Sequence, residues 1–425
     1  MIKAFVLLRH SSFLVRYSIF FFSLCSLWLY VECTFLHAAD WPQFLGPYRN
    51  GISGETGLLQ SWPDKGPPML WEKPVGEGFS GPVVAGSKLI IFHRVENNDV
   101  IECLDAVTGK GQWKFTYATE YRDSFGKGDG PRATPLIAGD RVFTLGAQGE
   151  LHCLNLQTGK KIWDHSLAKE YELPDNFFGI GTSPILENDL LLVNVGPPGG
   201  GVLAFNKDTG KEVWRAKCEQ ASYSSPVAAT INGTRHVFFF TTNGLVSIDP
   251  KTGEIRFQKP WRSRIRASVT AATPLVIKDQ VFISASYGTG AVLLRVGKDD
   301  VEEIWKGDEV MSNHYNTCIH KDGFLYGCDG RQEAGAQLRC VELANGKVQW
   351  THAGFGCANM VLADGKLIAL SEEGDLILLE PTPESYKELS RVHVLSRSSR
   401  APLALANGRL YARDDHKLIC WNLKK

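Results

Sequence analysis

The chain has 425 residues, with 46 Lys plus Arg set against 46 Asp plus Glu. That balance excludes a protein that works by holding polyanions such as nucleic acid, and the lack of long charged or low-complexity tracts excludes a disordered chain. Glycine is plentiful at 42 residues, as a fold made of many tight turns requires.

Taken in chain order, Lys3, Arg9 and Arg16 precede an apolar run from Ile19 to Tyr30, with small residues near Ala38. A basic start, a short apolar core and small residues at the end read as an export signal. With Val31 to Leu36 included the run approaches spanning length, so the alternative is an uncleaved membrane anchor. Cys25 and Cys33 lack the small-residue context of a lipoprotein site. The expected organisation is a signal or anchor over residues 1–39, an N-terminal extension over 40–68 and a folded domain over 69–425.

Met69-Leu70-Trp71 reads as an orphan strand. After it comes a unit repeated with a period of roughly 40–50 residues, the signature of a propeller or solenoid. The phrase is clearest in CLDAVTGKGQW (Cys103 to Trp113), CLNLQTGKKIW (Cys153 to Trp163) and AFNKDTGKEVW (Ala204 to Trp214), and a fourth copy ends in Phe257. Unit starts carry a small residue and proline: Gly81-Pro82, Thr134-Pro135, Ser183-Pro184, Ser225-Pro226, Thr273-Pro274 and Ala401-Pro402. Thr317-Cys318 and Asn359-Met360 are two degenerate starts. Proline is tolerated at the first residue of a strand, where no ladder hydrogen bond is lost. Within Pro135 to Trp163 three apolar runs broken by turn residues lead to a fourth run ending in tryptophan. This is the pattern of four antiparallel strands per blade.

The last unit lacks a fourth strand, and the segment around Trp71 supplies one. The prediction is an all-β, eight-bladed propeller whose ring is closed by the N-terminal strand, which removes an open sheet edge. Trp71, Trp113, Trp163, Trp214, Trp305 and Trp350 are expected to dock between neighbouring blades.

Eight cysteines follow residue 40. Cys103, Cys153 and Cys420 occupy the same slot in successive units, too far apart to bridge, and read as buried hydrophobes. Cys318 and Cys328 flank a turn on adjacent strands and form the one pair to test. No metal-ligand spacing appears.

The candidate binding residues gather in segments that enter the first strand of a blade. They are Arg132; Trp261, Arg262, Arg264 and Arg266; His314 and Tyr315; and Arg397 and Arg400. Sharing one face, they would make a basic patch with aromatics, suited to a carboxylate ligand, an acidic glycan or an acidic partner segment. The alternative is ordinary loop charge, partly paired with Asp123, Asp129, Glu219 and Asp308. No nucleophile elbow, phosphate-binding loop or HExxH motif is present.

The A-x-D-x-x-T-G-K-x-x-W phrase, across residues 71 to 423, resembles the tryptophan-docking repeat of quinoprotein-type propellers, named for pyrroloquinoline quinone (PQQ). Asp40 to Gly51 (DWPQFLGPYRNG) resembles the opening of exported PQQ-like repeat proteins of planctomycete-type bacteria. The resemblance implies either of two functions. One is a quinoprotein dehydrogenase using PQQ with Ca²⁺. The other is a non-catalytic role through protein contacts, as in the propeller lipoprotein of the outer-membrane β-barrel assembly machinery. The enzymes carry a disulfide between adjacent cysteines against the cofactor, and this chain has no Cys-Cys pair.

The expectation is an exported binding or protein-interaction scaffold of the periplasm or cell envelope, without catalytic residues, metal or cofactor. Its partner would be an envelope protein or an anionic small molecule or glycan. It would be monomeric and touch the membrane only through an uncleaved N-terminal segment. The alternatives are a PQQ-dependent oxidoreductase and a saccharide-binding propeller that stacks sugar on Trp261 and Tyr315.

Overall fold

A computed structural model describes residues 40–126, 128–173, 178–218, 221–263, 265, 269–397 and 399–425. The expected signal segment, Arg264 and Arg266 lie outside the described residues. Eight four-stranded antiparallel sheets follow one another around a ring, so the fold is the eight-bladed propeller that the repeat predicts. Blades one to seven occupy residues 83–118, 136–166, 185–216, 227–260, 275–307, 319–352 and 358–393. Blade eight takes Ala404–Ala406, Arg409–Arg413 and Lys417–Asn422 from the C-terminus and Met69–Pro74 as its outer strand. Trp71 pairs with Cys420 and Pro74 with Lys417, so strands from opposite ends of the chain close the ring.

In each blade the first strand is innermost, short and largely buried, as Val83–Ala85 and Leu136–Ala138 are. The fourth alternates exposed and half-buried residues, as in Gly111–Ala118. That alternation is what a strand with one face on a neighbouring sheet and one in water should show. A four-residue helix, Leu167–Glu170, follows blade two.

The repeated phrase now has a mechanical reading. Its Asp or Asn caps the turn before the outer strand: Asn155 Oδ1 accepts from the backbone N–H groups of Gln157 and Thr158 and from the Thr158 hydroxyl. Asp105 and Asn206 do the same in blades one and three. The following glycine sits at positive φ, +68° at Gly159 and +72° at Gly210, which a Cβ disfavours. The tryptophan of the preceding blade then covers that glycine.

All six expected tryptophans dock on the next blade, each donating its indole N–H to one of its carbonyls, and all but Trp350 lie against a turn glycine. Trp71 donates to Ala106, Trp113 to Leu156, Trp163 to Lys207, Trp214 to Pro250, Trp305 to Leu343 and Trp350 to Thr382, at 2.7–3.3 Å.

A second belt runs nearer the axis, through the residues that start each unit. Gly81 N–H donates to Thr134 Oγ1, Thr134 N–H to Ser183 Oγ and Ser183 N–H to Ser225 Oγ. Thr273 N–H donates to Thr317 Oγ1, Asn316 to Asn359, and Asn359 to the carbonyls of Arg400 and Ala401. Ser and Thr therefore recur before proline because the hydroxyl satisfies a backbone donor of the preceding blade.

Residues 41–53 run across the inner strands of the ring, and the chain then leaves the axis, Trp62 N–H donating to Ser390 Oγ on the outer strand of blade seven. Trp41 forms a bridge with Val84 on the inner strand of blade one, and Pro42 accepts from Ile137 in blade two. Arg49 reaches the carbonyls of Pro184 and Pro226 at the entries to blades three and four. Gly51 lies against Ile319 of blade six, and Ser53 bonds Leu362 of blade seven. Leu58 then bridges to Lys424. Desolvation lowers the Arg49 pKa to about 9, so the guanidinium stays charged at neutral pH, held by the Pro184 and Pro226 carbonyls and Gln43 Oε1.

Cys318 and Cys328 are buried free thiols, as are Cys103, Cys153, Cys340, Cys357 and Cys420. Cys318 donates to Asn313 Oδ1 and Cys328 to the Ala358 carbonyl, each held by its own neighbours.

Candidate functional site at the channel mouth

Loops between outer and next inner strands converge above the belt and enclose a cavity of about 1110 Å³, including its open mouth. Its floor is Phe44 and Leu45 of the channel-filling segment, and its wall carries Phe79, Phe178, Tyr223, Tyr287 and Tyr315. Of the candidate residues, Arg132, His314, Tyr315 and Arg400 line this one cavity.

The two arginines are stacked into the wall rather than free. Arg132 lies 5.5 Å from the Phe79 ring, 5.4 Å from Tyr121 and 6.0 Å from Phe178. Arg400 lies 5.6 Å from the same Phe79 ring and 5.8 Å from Tyr315. Phe79 thus stands between two guanidinium groups in a cation–π ladder.

Each arginine also carries its own carboxylate. Arg132 pairs with Asp123, whose side chain is fully buried, and donates to the Gly128 and Gly130 carbonyls. Arg400 pairs with Glu372, which also accepts from the Tyr315 hydroxyl at 3.1 Å. The two charges that suggest an anion site in the sequence are therefore balanced within the wall.

His314 donates from Nδ1 to Gln332 Oε1 at 2.8 Å and accepts the Tyr287 hydroxyl at Nε2, 3.0 Å away. Burial lowers its pKa, so the ring is neutral, as this pairing requires.

The remaining candidates lie elsewhere. Trp261 donates to the Gly290 carbonyl and packs on the hydrophobic cluster of Phe238 and Phe257, between blades four and five. Arg262 is exposed and contacts Asn243, and Arg397 is an exposed partner of Glu373. The sequence did not single out Phe44, Phe79, Phe178 or Glu372. Phe79 stands directly before the Ser80-Gly81-Pro82 entry, a place where a large aromatic signals a mouth-lining residue.

The donor set does not fit PQQ with calcium. A tricarboxylate needs uncommitted cations, whereas both guanidiniums hold buried carboxylates. Among the described residues no group of three His, Cys, Asp or Glu side chains is placed to hold a metal ion.

A ring of tryptophan-docked blades with a plugged channel and an aromatic cup at one mouth defines a quinoprotein-type propeller. A family profile described as outer membrane protein assembly factor BamB (PQQ_2) matches residues 96–352, and the chain belongs to that family. It is similar to the outer membrane protein assembly factor BamB of Yersinia pestis, 22% identical over 72% of this chain and 79% of that protein. A quinoprotein ethanol dehydrogenase of Pseudomonas putida is 26% identical over 37% of this chain and 27% of that enzyme. Among solved structures, BamB from Moraxella catarrhalis superposes with a TM-score of 0.62 at 15% identity. That match covers 84% of this chain and 97% of that one. Quinohemoprotein alcohol dehydrogenase from Comamonas testosteroni gives 0.53 at 12% identity, over 91% and 80%. At these identities the structural likeness speaks to fold alone.

Proposed function

We propose that this chain is an exported, non-catalytic binding propeller of the periplasm or cell envelope, which recognises its ligand or partner at the channel mouth. The cup of stacked aromatics and internally neutralised arginines carries this reading. It offers recognition surfaces and shape, and its titratable groups are tied to one another instead of to an open reaction centre. The family match and the basic-apolar N-terminal run support export and an envelope setting. No described helix is long and apolar enough to cross a membrane.

The test is site-specific photocrosslinking in cells with the reactive residue at Glu333, on the rim, or at Val213, exposed on an outer strand. A discrete adduct from Glu333 and none from Val213 is expected. Adducts from Val213 alone would move the binding surface to the blade edges. Dye-linked oxidation of alcohols or sugars on adding PQQ and Ca²⁺ would overturn the non-catalytic reading.

A further inference from the structure

The cup presents three kinds of surface together. Tyr223 and Tyr315 offer ring faces. The Ser225 and Thr317 hydroxyls each accept one backbone N–H, from Ser183 and Thr273, and their own protons have no acceptor among the described residues. Arg400 bonds Glu372 through Nε and Nη2, and its Nη1 makes no hydrogen bond to them. The carboxamide of Gln332 is held by His314 at its oxygen and donates one N–H to Glu333 Oε1 at 3.3 Å on the exposed rim, which leaves its second N–H.

Three ligand chemistries compete for such a surface. An anion would need a cation not already committed, and Asp123 and Glu372 occupy both arginines. A purely apolar group would strip water from these hydroxyl, amide and guanidinium donors and leave them unpaired, at a cost for each. A neutral polyhydroxylated ring meets both demands. Its C–H face lies on an aromatic ring, and its hydroxyl edge accepts from planar donors whose charge is already balanced. The floor formed by Phe44 and Leu45 closes the far side, so a chain entering the mouth ends there.

Resting on the mouth-binding reading above, we infer that the cup takes the terminal ring of an uncharged oligosaccharide, stacked on Tyr223 or Tyr315 with its hydroxyls on Gln332, Thr317 and Arg400.

The experiment applies the full chain to an array of neutral oligosaccharides and then titrates maltohexaose, cellohexaose or N-acetylchitohexaose calorimetrically, with oligogalacturonate as the anionic control. Saturable, one-to-one binding of a neutral glycan is expected, with an affinity that does not fall when salt is raised. Tyr223→Ala and Gln332→Ala should each weaken it about tenfold, the scale of one lost stacking or hydrogen-bond contact. Unchanged melting temperatures would show that both variants fold. Binding confined to oligogalacturonate and lost with salt would overturn the inference, as would the absence of any neutral glycan signal. If glycans fail while the Glu333 crosslink persists, the saccharide assignment falls alone and a protein segment occupies the cup. If both fail, the mouth is not the binding surface.

Discussion

Trp214 of blade three lies against Gly253 of blade four so closely that a Cβ on that glycine would stand 2.5 Å from the indole. One junction further on, both partners are gone together. The outer strand of blade four carries Phe257 in the tryptophan slot, and the Val296-Gly297-Lys298-Asp299 turn of blade five lacks the Thr-Gly platform. Trp261 reaches across to the Gly290 carbonyl there instead. At this junction tryptophan and glycine are lost together, whereas Trp350 still docks on the Thr382 carbonyl of blade seven with no turn glycine beneath it.

The docking contact sets the first expectation. Trp163→Ala removes an almost buried indole and its bond to the Lys207 carbonyl, and should destabilise the fold by about 3–5 kcal/mol. Gly210→Ala should also destabilise it, because its φ of +72° and the ring 2.8 Å from the new Cβ both oppose the methyl. Chemical denaturation checks both, and an unmoved midpoint for Trp163→Ala would refute docking as a source of stability.

The hydroxyl belt is testable one link at a time. Ser183→Ala leaves the Thr134 N–H without its acceptor in a buried place, and the expected loss is about 1–3 kcal/mol. Thr209→Ala, on an exposed turn, is the control and should cost less.

The mouth arginines call for a double-mutant cycle. Arg132→Ala strands the buried Asp123 carboxylate and should cost about 3–5 kcal/mol, whereas Arg132→Ala with Asp123→Ala together should cost less than Arg132→Ala alone. Additive losses would mean that the two groups do not sense one another.

His152 sets an acid-side expectation. Its ring lies 5.1 Å from Phe115 and 4.5 Å from Tyr117, and burial lowers its pKa from 6.5 to about 4. The unfolded chain binds this proton first as pH falls, so the stability is whole above about 6.5 and drains away toward 4. The full effect is about 3 kcal/mol. Asp99, raised by burial to about 6, acts in the opposite direction across the same window. The readout is therefore the difference between wild type and His152→Gln, which should lose less stability between pH 7 and pH 4 than the parent. Parallel pH profiles would remove His152 from the account.

The architecture was legible because propeller repeats leave strong local marks. Asn155, Thr158, Gly159 and Trp163 each need a particular residue type, so the pattern survives wherever the contact does. The closing role of Trp71 followed from a missing fourth strand. The cup was only partly legible. Arg132, His314, Tyr315 and Arg400 came from loops entering inner strands, which the fold brings to one mouth. Phe79 and Phe178 obey no spacing rule, because loop residues meet through the ring and not through the strand period. The neutralisation of Arg400 by Glu372 depends on a contact 28 residues apart that no motif encodes. Trp261 misled for a physical reason: an indole near a strand end serves equally well as a binding platform or as a wedge between sheets.

Blade eight has a bearing on how the ring closes. Its outer strand, Met69–Pro74, precedes the other seven blades in the chain, while the neighbour that accepts it, Lys417–Asn422, follows them. The Met69–Pro74 strand has its edge unpaired until that neighbour is in place. Closure is thus the most non-local step in the fold, and slow pairing of this kind leaves an edge open to other chains. The ring can therefore close only when the two ends of the folded domain meet.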